Sequence, residues 1–264
     1  MKSKIIFNVI CSVFLLISLA ACSASNSQTT PTAEPPTQGT SPQPTSSVSG
    51  LCSNPLYPVI QGATWTYSNT GSPAGSFTYT DTITSVRPDG FTLTTQFTDL
   101  TRTQEWACKQ EGLQALQLGG ANSAAITTQG LSAEFTSSNV TGITLPANIT
   151  SAMQWTYGLD INGSVAMPGD QSAEASGTVS IDLKEAGTES VTVPAGTFNA
   201  TKIEAKSTFD LNASFQGIKV PVKFTDTSIL FYVPGVGLVK SIENGDIGGN
   251  SFSSTTELQT YNIP

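Results

Sequence analysis

The amino-acid sequence predicts an all-β domain, folded as a curved antiparallel sheet, a half-barrel or a sandwich, with room for one or two short helices. Apolar and polar residues alternate with a period of two over long stretches, as half-buried antiparallel strands require. Pro-Gly turn motifs separate these stretches. The two segments with weak helical character, 121–135 and 146–154, lack a sustained apolar stripe and would hold a turn or two.

The N-terminus has the pattern of a secretory signal peptide over residues 1–21. Two lysines precede an apolar run that ends in Leu19-Ala20-Ala21-Cys22. A cysteine directly after Leu-Ala-Ala resembles the lipobox of bacterial lipoproteins, which implies that Cys22 is lipidated, with palmitate among its acyl chains. The alternatives are an ordinary secretory signal or an N-terminal membrane helix, for which the run is short because a bilayer needs ~20 apolar residues. The resemblance places the protein outside the cytoplasm, anchored by lipid to the cell membrane or an outer membrane.

Residues 22–50 are predicted to form a disordered tether. Ser, Thr, Pro, Gln and Ala dominate this stretch, which has no aromatic side chain and a single charge, Glu34. Such a segment cannot bury enough apolar surface to offset its ordering entropy. As a coil it would hold the domain that follows about 30 Å from its anchor. Residues 51–264 are then predicted to form a single β-rich extracytoplasmic domain.

The turns between the strands are defined by proline and glycine. Arg87-Pro88-Asp89-Gly90 and Val193-Pro194-Ala195-Gly196 place Pro second and Gly fourth, which predicts type I turns whose glycine has a left-handed φ. Val233-Pro234-Gly235-Val236 places Gly third, as a type II turn requires.

Several of these landmarks occur twice in the same order, which predicts a duplicated β-unit with pseudo-repeats at about 55–145 and 146–264. The matched pairs are Trp65-Thr66-Tyr67 with Trp155-Thr156-Tyr157, Pro88-x-Gly90 with Pro194-x-Gly196, and Gly112-Leu113 with Gly237-Leu238. Two copies are too few for a solenoid. We therefore expect them to close around one core.

Residues 209–224 give the most specific local prediction, a hairpin with a two-residue turn at Gln216-Gly217. The predicted register pairs Phe215 with Ile218, Leu211 with Val222 and Phe209 with Phe224 on one face, and Asp210 with Lys223 on the other. Because proline cannot donate to a strand ladder, Pro221 should lie on an outer edge or turn its nitrogen away from a partner strand. Lys219 and Lys223 would protect such an edge from further pairing.

Composition argues against an enzyme, a metal site or a nucleic-acid partner. The chain has no histidine, which removes the commonest general base and transition-metal ligand. Without residues 1–21 it has nine Lys and Arg against 19 Asp and Glu, a charge of −10 that repels phosphate backbones.

Glu204, Asp210 and Asp226 are the candidate carboxylates for glycoside chemistry, but no aromatic sugar platform accompanies them. Asp160, Asn162 and Asp170 offer oxygen ligands for Ca²⁺ without the closing Glu of an EF-hand, which favours a solvated turn. No cofactor is expected.

Cys52 and Cys108 are the two cysteines outside the signal and the lipidation site, and in an oxidising compartment we expect them to pair. Two free buried thiols are the alternative. Cys108 shares strand parity with Trp106, so both should point into the core, with Glu105 and Lys109 outside.

Three sets of motifs resemble a family of secreted bacterial lipoproteins with no known activity. They are Tyr57-Pro58 with Gly62-x-x-Trp65-x-Tyr67, Val193-Pro194-Ala195-Gly196-Thr197-Phe198, and Tyr232-Val233-Pro234-Gly235-Val236-Gly237-Leu238-Val239-Lys240. The resemblance implies a curved sheet similar to the half-barrel of outer-membrane lipoprotein carriers, which enclose acyl chains.

Trp65, Tyr67, Trp155 and Tyr157 are the candidate ligand-binding residues, although such aromatic side chains are more often core anchors of a sheet. We therefore expect a membrane-anchored, non-enzymatic binding or carrier module, with a hydrophobic small molecule as its ligand. The alternative is a structural or adhesive cell-envelope protein that binds another protein. The oligomeric state is left open.

Overall fold

The computed structural model describes residues 50–72, 75–118, 133–167, 171–215, 217–247 and 250–264. These residues form thirteen β-strands and no helix. The strands are β1 (Thr64–Thr70), β2 (Phe77–Arg87), β3 (Gly90–Gln96), β4 (Thr101–Lys109), β5 (Gly112–Ala115), β6 (Ala133–Gly142), β7 (Leu145–Pro146), β8 (Gln154–Met167), β9 (Gln171–Val193), β10 (Gly196–Phe215), β11 (Ile218–Val233), β12 (Gly237–Ile247) and β13 (Asn250–Asn262).

All thirteen strands belong to one antiparallel sheet, which is curved but not closed into a barrel. Their order is β6-β8-β9-β10-β11-β12-β13-β1-β2-β3-β4-β5-β7. The predicted all-β fold class is therefore confirmed. The segment 146–154 forms turns between β7 and β8, since it has turn-forming residues and no apolar stripe. Of the segment 121–135, the structure describes only 133–135, which lie in β6. In the described ranges no helix is long and apolar enough to cross a membrane.

The strands form two meanders of five, β1–β5 and β8–β12, and β13 joins them by pairing with both β12 and β1. The matched sequence landmarks take the same places in the two meanders. Trp65 and Trp155 lie in the first strand, Pro88 and Pro194 in the turn after the second, and Gly112 and Gly237 begin the fifth. A duplicated β-unit remains our interpretation of this correspondence.

A short crossing segment, Gly142–Pro146, bonds to strands near both ends of the sheet order. Gly142 pairs with Tyr157 of β8, and the Ile143 amide donates to the Thr156 carbonyl at 3.1 Å. One residue later the Thr144 amide donates to the Leu113 carbonyl of β5 at 3.0 Å, and β7 continues along β5. The segment therefore brings β5 and β8 close together at this point without completing a barrel.

The core lies on the inner face of the curved sheet. Its most completely buried large side chains include Trp65, Ile83, Phe91, Leu113 and Ile203, each less than 2% exposed. The segment before β1 adds Tyr57, whose ring stacks on Trp65 and on Phe91 with centroids 5.4 and 6.0 Å apart. Offset aromatic contacts of this kind contribute beyond the area that they bury.

The turn prediction is confirmed at Gly235 and wrong at Gly90. Gly235 has a φ of 71°, and the Val236 amide donates to the Val233 carbonyl at 3.0 Å, as a type II turn requires. Gly90 does not have a positive φ. A Cβ at Gly90 would instead lie 2.3 Å from the Trp106 carbonyl oxygen of β4, so glycine is needed there for close strand approach.

The β10–β11 hairpin has the predicted register throughout. Phe215 pairs with Ile218, Leu211 with Val222 and Phe209 with Phe224, and the Lys223 ammonium lies 2.8 Å from the Asp210 carboxylate. Gly217 has a φ of 79°, and Gln216 lies outside the described residues. Among the described residues, β12 pairs with β11 only from Asp226 onward, so residues 218–225 of β11 form a strand edge there, and Pro221 lies on it, which is the first of the two predicted placements.

Cys52 and Cys108 form a disulfide that joins the start of the folded chain to β4. Both cysteines are buried, and Cys108 lies opposite Leu113 with Trp106 opposite Ala115 on the same inner face. Lys109 is exposed, and Glu105 forms an ion pair with Arg87 at 2.6 Å on the outside. The predicted orientation of these side chains is confirmed.

Candidate functional site

The first predicted aromatic pair lies on β1 and bonds to the main chain around the start of β12. Trp65 and Tyr67 are both buried. The Trp65 Nε1 donates to the Val236 carbonyl at 2.6 Å, and the Tyr67 hydroxyl donates to the Leu238 carbonyl at 2.9 Å. Burial, and next the charge of Asp81, raises the pKa of Tyr67 well above its ordinary value, so the hydroxyl stays a neutral donor.

The second pair lies on β8 and has similar bonds to the other end of the sheet. The buried Tyr157 hydroxyl donates to the Ala115 carbonyl of β5 at 2.9 Å, and burial raises its pKa. Trp155 is half-buried, and its Nε1 donates to the Thr144 carbonyl of the crossing segment at 3.4 Å.

These four aromatic side chains have the surroundings of core anchors. Their polar atoms all donate to main-chain carbonyls, and a ligand could reach those atoms only by breaking the four hydrogen bonds. The structure places each pair on its own strand, and within the described ranges no ring of one pair contacts a ring of the other.

Asp81 is a half-buried carboxylate that the sequence analysis missed. It faces inward on β2, opposite Trp65 and Thr95, and accepts a hydrogen bond of 2.5 Å from the Thr95 hydroxyl. Burial raises the pKa of Asp81 to about 6, and the bond from Thr95 opposes the rise. The signal was available, because Asp81 interrupts the apolar alternation of β2 between Tyr79 and Ile83.

The carboxylates proposed for glycoside chemistry are not brought together. Glu204 and Asp210 are exposed on the outer face of β10. Asp226 is buried opposite Ser207, which lies on the inner face. Residues Asp160 and Asn162 lie inside β8, so the predicted solvated turn is wrong there, because β6 and β9 pair with this segment on both sides. Asp170 lies outside the described residues.

Metal-ligating side chains do not cluster in the part of the chain that the structure describes. No group of three His, Cys, Asp or Glu residues there could hold an ion.

The exposed hydrophobic side chains are concentrated on one strand. Of the four large hydrophobic residues that are exposed in the described ranges, three are alternate residues of β11: Ile218, Val220 and Val222, with 50%, 41% and 38% of their surface exposed. We call these three residues the apolar stripe. The sequence analysis predicted their shared face but not their exposure, which depends on where β12 ends.

Half-buried apolar side chains continue the surface of the stripe. Directly opposite on β10 lie Phe215 and Leu211, and the next pair along the hairpin is Phe209 with Phe224. The rings of that pair are stacked with centroids 4.4 Å apart. This face of the hairpin therefore offers a continuous apolar surface with its aromatic rings held against each other.

Two depressions on the surface are open to solvent, and neither is an enclosed cavity. One, of about 700 Å³, is lined by Arg102, Glu174 and residues of β6 and β8. The other, of about 630 Å³, lies among residues 225–227, 244–246 and 251–253. Most of the lining side chains in both are polar, which does not suit a wholly apolar ligand.

Comparison with known proteins identifies a family and a set of similar folds. Residues 101–258 match a family described as DUF3108-like. No curated protein sequence matches the chain.

Three solved structures are similar to this chain at low sequence identity. One is described as an exported protein of Bacteroides fragilis with a YmcC-like fold, with 13% identity, a TM-score of 0.49, and coverage of 79% of this chain and 99% of that chain. A second is described as a lipoprotein of Parabacteroides distasonis, with 16% identity, a TM-score of 0.49, and coverage of 80% and 99%. The third is the lipoprotein YmcC of Escherichia coli, with 10% identity, a TM-score of 0.35, and coverage of 76% and 85%.

Proposed function

Because the chain belongs to the DUF3108-like family, whose description names no reaction, we propose a function from the surface of the molecule itself. The protein is a non-enzymatic, extracytoplasmic binding module, tethered to a membrane through Cys22. It binds a hydrophobic ligand, such as an acyl chain, on the apolar stripe of β11. The tethering rests on the Leu19-Ala20-Ala21-Cys22 motif.

The exposure of the stripe is the observation that carries this proposal. Exposed side chains at Ile218, Val220 and Val222 leave apolar surface in water, where its burial by a ligand is favourable at roughly 25 cal/mol per Å². A single exposed aliphatic side chain needs no explanation, but three on one face of one strand form a patch.

The surroundings of the stripe suit an elongated apolar ligand. Phe209 and Phe224 close one end of the surface with a fixed ring stack, so little side-chain entropy is lost when a ligand packs there. Asp226 follows Phe224 at the next inward position of β11, and its Oδ1 is buried without a hydrogen-bond partner. A ligand with an apolar chain and a donor group near its end would fit this order of side chains.

Displacement of a fluorescent probe tests the proposal. Nile red should bind the soluble chain and be displaced by dodecanol, whose hydroxyl can donate a hydrogen bond, at concentrations below its solubility limit, and Val220→Ser should weaken both effects several-fold. The matched control is Leu51→Ser, which removes the fourth large hydrophobic side chain that is exposed in the described ranges and lies outside the hairpin. Binding that is equal in the two variants would rule out the stripe as the site.

A protein ligand is the second candidate function, and the strand edge of β11 favours it. Residues 218–225 have no neighbour on the β12 side within the part of the chain that the structure describes, so an extended segment of an envelope protein could add a strand there. Pro221 lacks the amide that such an added strand needs at one position. Cross-linking from Lys219 to a defined envelope protein, lost with Val220→Ser, would support this function over lipid binding.

A further inference from the structure

We propose that the tip of the β10–β11 hairpin docks on the surface of a bilayer that contains anionic phospholipid. The apolar stripe would enter the boundary between headgroups and acyl chains, and Lys219 and Lys223 would contact the headgroup phosphates. The inference uses the stripe assigned above and so rests on the proposed function, but it concerns an assembled membrane rather than a free ligand.

The charge of the hairpin tip differs in sign from that of the domain. Residues 51–264 have nine Lys and Arg against 18 Asp and Glu, whereas the hairpin residues 209–224 have Lys219 and Lys223 against one acid, Asp210. Lys219 lies opposite Ser214, and no acidic side chain pairs with it in the described part of the chain. Lys223 is paired with Asp210, but both side chains are more than half exposed, so the pair is weak. The two lysines lie on the opposite face of β11 from the stripe, so a tip that enters end-on would present both its apolar side chains and its positive charge to an anionic membrane surface.

The strand edge itself argues for a bilayer over an added strand. Pro221 lies in the middle of the free edge, between Val220 and Val222, and cannot donate to a neighbouring strand. A lysine lies two residues before Pro221 and another two residues after it, which is how natural edge strands resist pairing. A lipid surface makes no demand on the main chain of this edge, because it contacts the side chains alone.

The arrangement of the tip also fits the depth of a membrane interface. Interfacial elements bury their apolar face about 5–10 Å into the boundary between headgroups and acyl chains. The stripe extends over alternate residues from Ile218 to Val222, beyond the last residue that β12 covers, so its side chains are uncovered on that side, whereas β9 pairs with β10 as far as Ser214 on the other. The long apolar stems of the lysines let their charged ends reach the phosphates.

Sedimentation with vesicles tests the proposal on the soluble chain of residues 23–264, which contains the whole described domain and its disulfide. The vesicles contain equal parts of phosphatidylcholine and phosphatidylglycerol, or phosphatidylcholine alone. We expect binding to the anionic vesicles that weakens as salt is raised. Lys219→Gln should lower the partition coefficient about fivefold, since one lysine near an anionic surface contributes about that factor.

Asp210→Asn gives the sharpest distinction, because it frees Lys223 and removes a negative charge. Docking requires that this variant bind anionic vesicles more tightly than the wild type, whereas a purely structural ion pair would give no increase. Lys109→Gln, at the exposed last residue of β4, is the matched control and should leave binding unchanged.

Several outcomes would overturn the proposal. The first is equal binding to both vesicle types, and the second is an equal effect of Lys219→Gln and Lys109→Gln on binding. The third is a chain that dimerises in solution and loses its dimer with Val220→Ser, because the stripe would then be a contact between two copies. Nile red displacement at the stripe without vesicle binding would overturn the docking alone and leave the proposed function in place. Vesicle binding without displacement of Nile red by any free lipid would overturn the proposed function and leave the docking in place.

Discussion

Tyr67 and Tyr157 donate equivalent hydrogen bonds from opposite meanders. Tyr67, in the first strand of one meander, donates to Leu238 in the fifth strand of the other, and Tyr157 donates from the first strand of the second meander to Ala115 in the fifth strand of the first. Both distances are 2.9 Å. The two hydroxyls therefore join parts of the chain that no local turn connects.

Removing either hydroxyl should destabilise the fold. Tyr67→Phe and Tyr157→Phe each leave a main-chain carbonyl without its donor, and we expect each to cost about 1–2 kcal/mol in the free energy of unfolding. Urea denaturation measures this cost. Tyr261→Phe is the control, because the Tyr261 hydroxyl has no hydrogen-bond partner in the described ranges. Equal costs for all three variants would contradict the role assigned to these bonds.

Asp81 should make the protein less stable as the pH rises from about 4 to 6. Burial raises its pKa to about 6 in the folded protein, above the ordinary value, so the folded state binds the proton more tightly than the unfolded state does. Stability from this group is present below the unfolded pKa and is lost as the pH rises through the folded pKa. The loss is on the order of 2–3 kcal/mol.

Asp81→Asn tests this pH dependence. The variant should be more stable than the wild type at neutral pH, while the difference should vanish or reverse near pH 4. The side-chain carbonyl of the introduced amide can still accept the hydrogen bond from Thr95. Asp210→Asn, on the exposed hairpin face, should not change the pH profile in this way. A wild-type profile that matches that of Asp81→Asn would show that Asp81 titrates normally.

The disulfide should contribute strongly to stability. A bond between residues 56 apart closes a loop whose entropy is worth ~4 kcal/mol in the chain-entropy treatment. We expect Cys52→Ala with Cys108→Ala to lower the free energy of unfolding by about that amount. Peptide mapping without reductant should find the 52–108 cross-link. Alkylation of both cysteines in the native wild type would contradict the pairing.

Cys22→Ala should abolish membrane attachment through lipid. The mature protein is expected to have about three acyl chains, and two already suffice for stable anchoring. Mass spectrometry and membrane fractionation of the variant should show no lipid, with the protein released or its signal peptide uncleaved. Cys11→Ala, inside the signal peptide, is the matched control and should be processed like the wild type. An unchanged mass and fractionation of Cys22→Ala would refute the lipid anchor.

Local features of the fold could be predicted from the sequence because each depends on neighbouring residues. The register of Phe209–Phe224 follows from the two-residue turn and the alternation on either side of it. The type II turn at Gly235 follows from the order of Pro and Gly. The same logic was wrong at Gly90, where the approach of Trp106 from another strand determines the need for glycine.

Features that depend on distant parts of the chain could not be predicted. The crossing segment at Gly142–Pro146 carries no local signal for pairing with both β5 and β8. The exposure of Val220 depends on the length of β12, and the burial of Tyr67 depends on the curvature of the whole sheet. The inward position of Asp81 could have been predicted, because this acidic residue interrupts the alternation of apolar and polar residues along β2.

The disulfide between Cys52 and Cys108 also determines how the domain would respond to mechanical force. A pull on the chain that precedes Cys52 passes through the covalent bond to β4, so residues 53–107 carry no tension. That shielded loop contains β1, β2 and β3, including the Trp65 and Phe91 side chains of the core. A domain held at its N-terminal side would therefore keep this part of its sheet in place under load, and would first extend in the strands that follow Cys108.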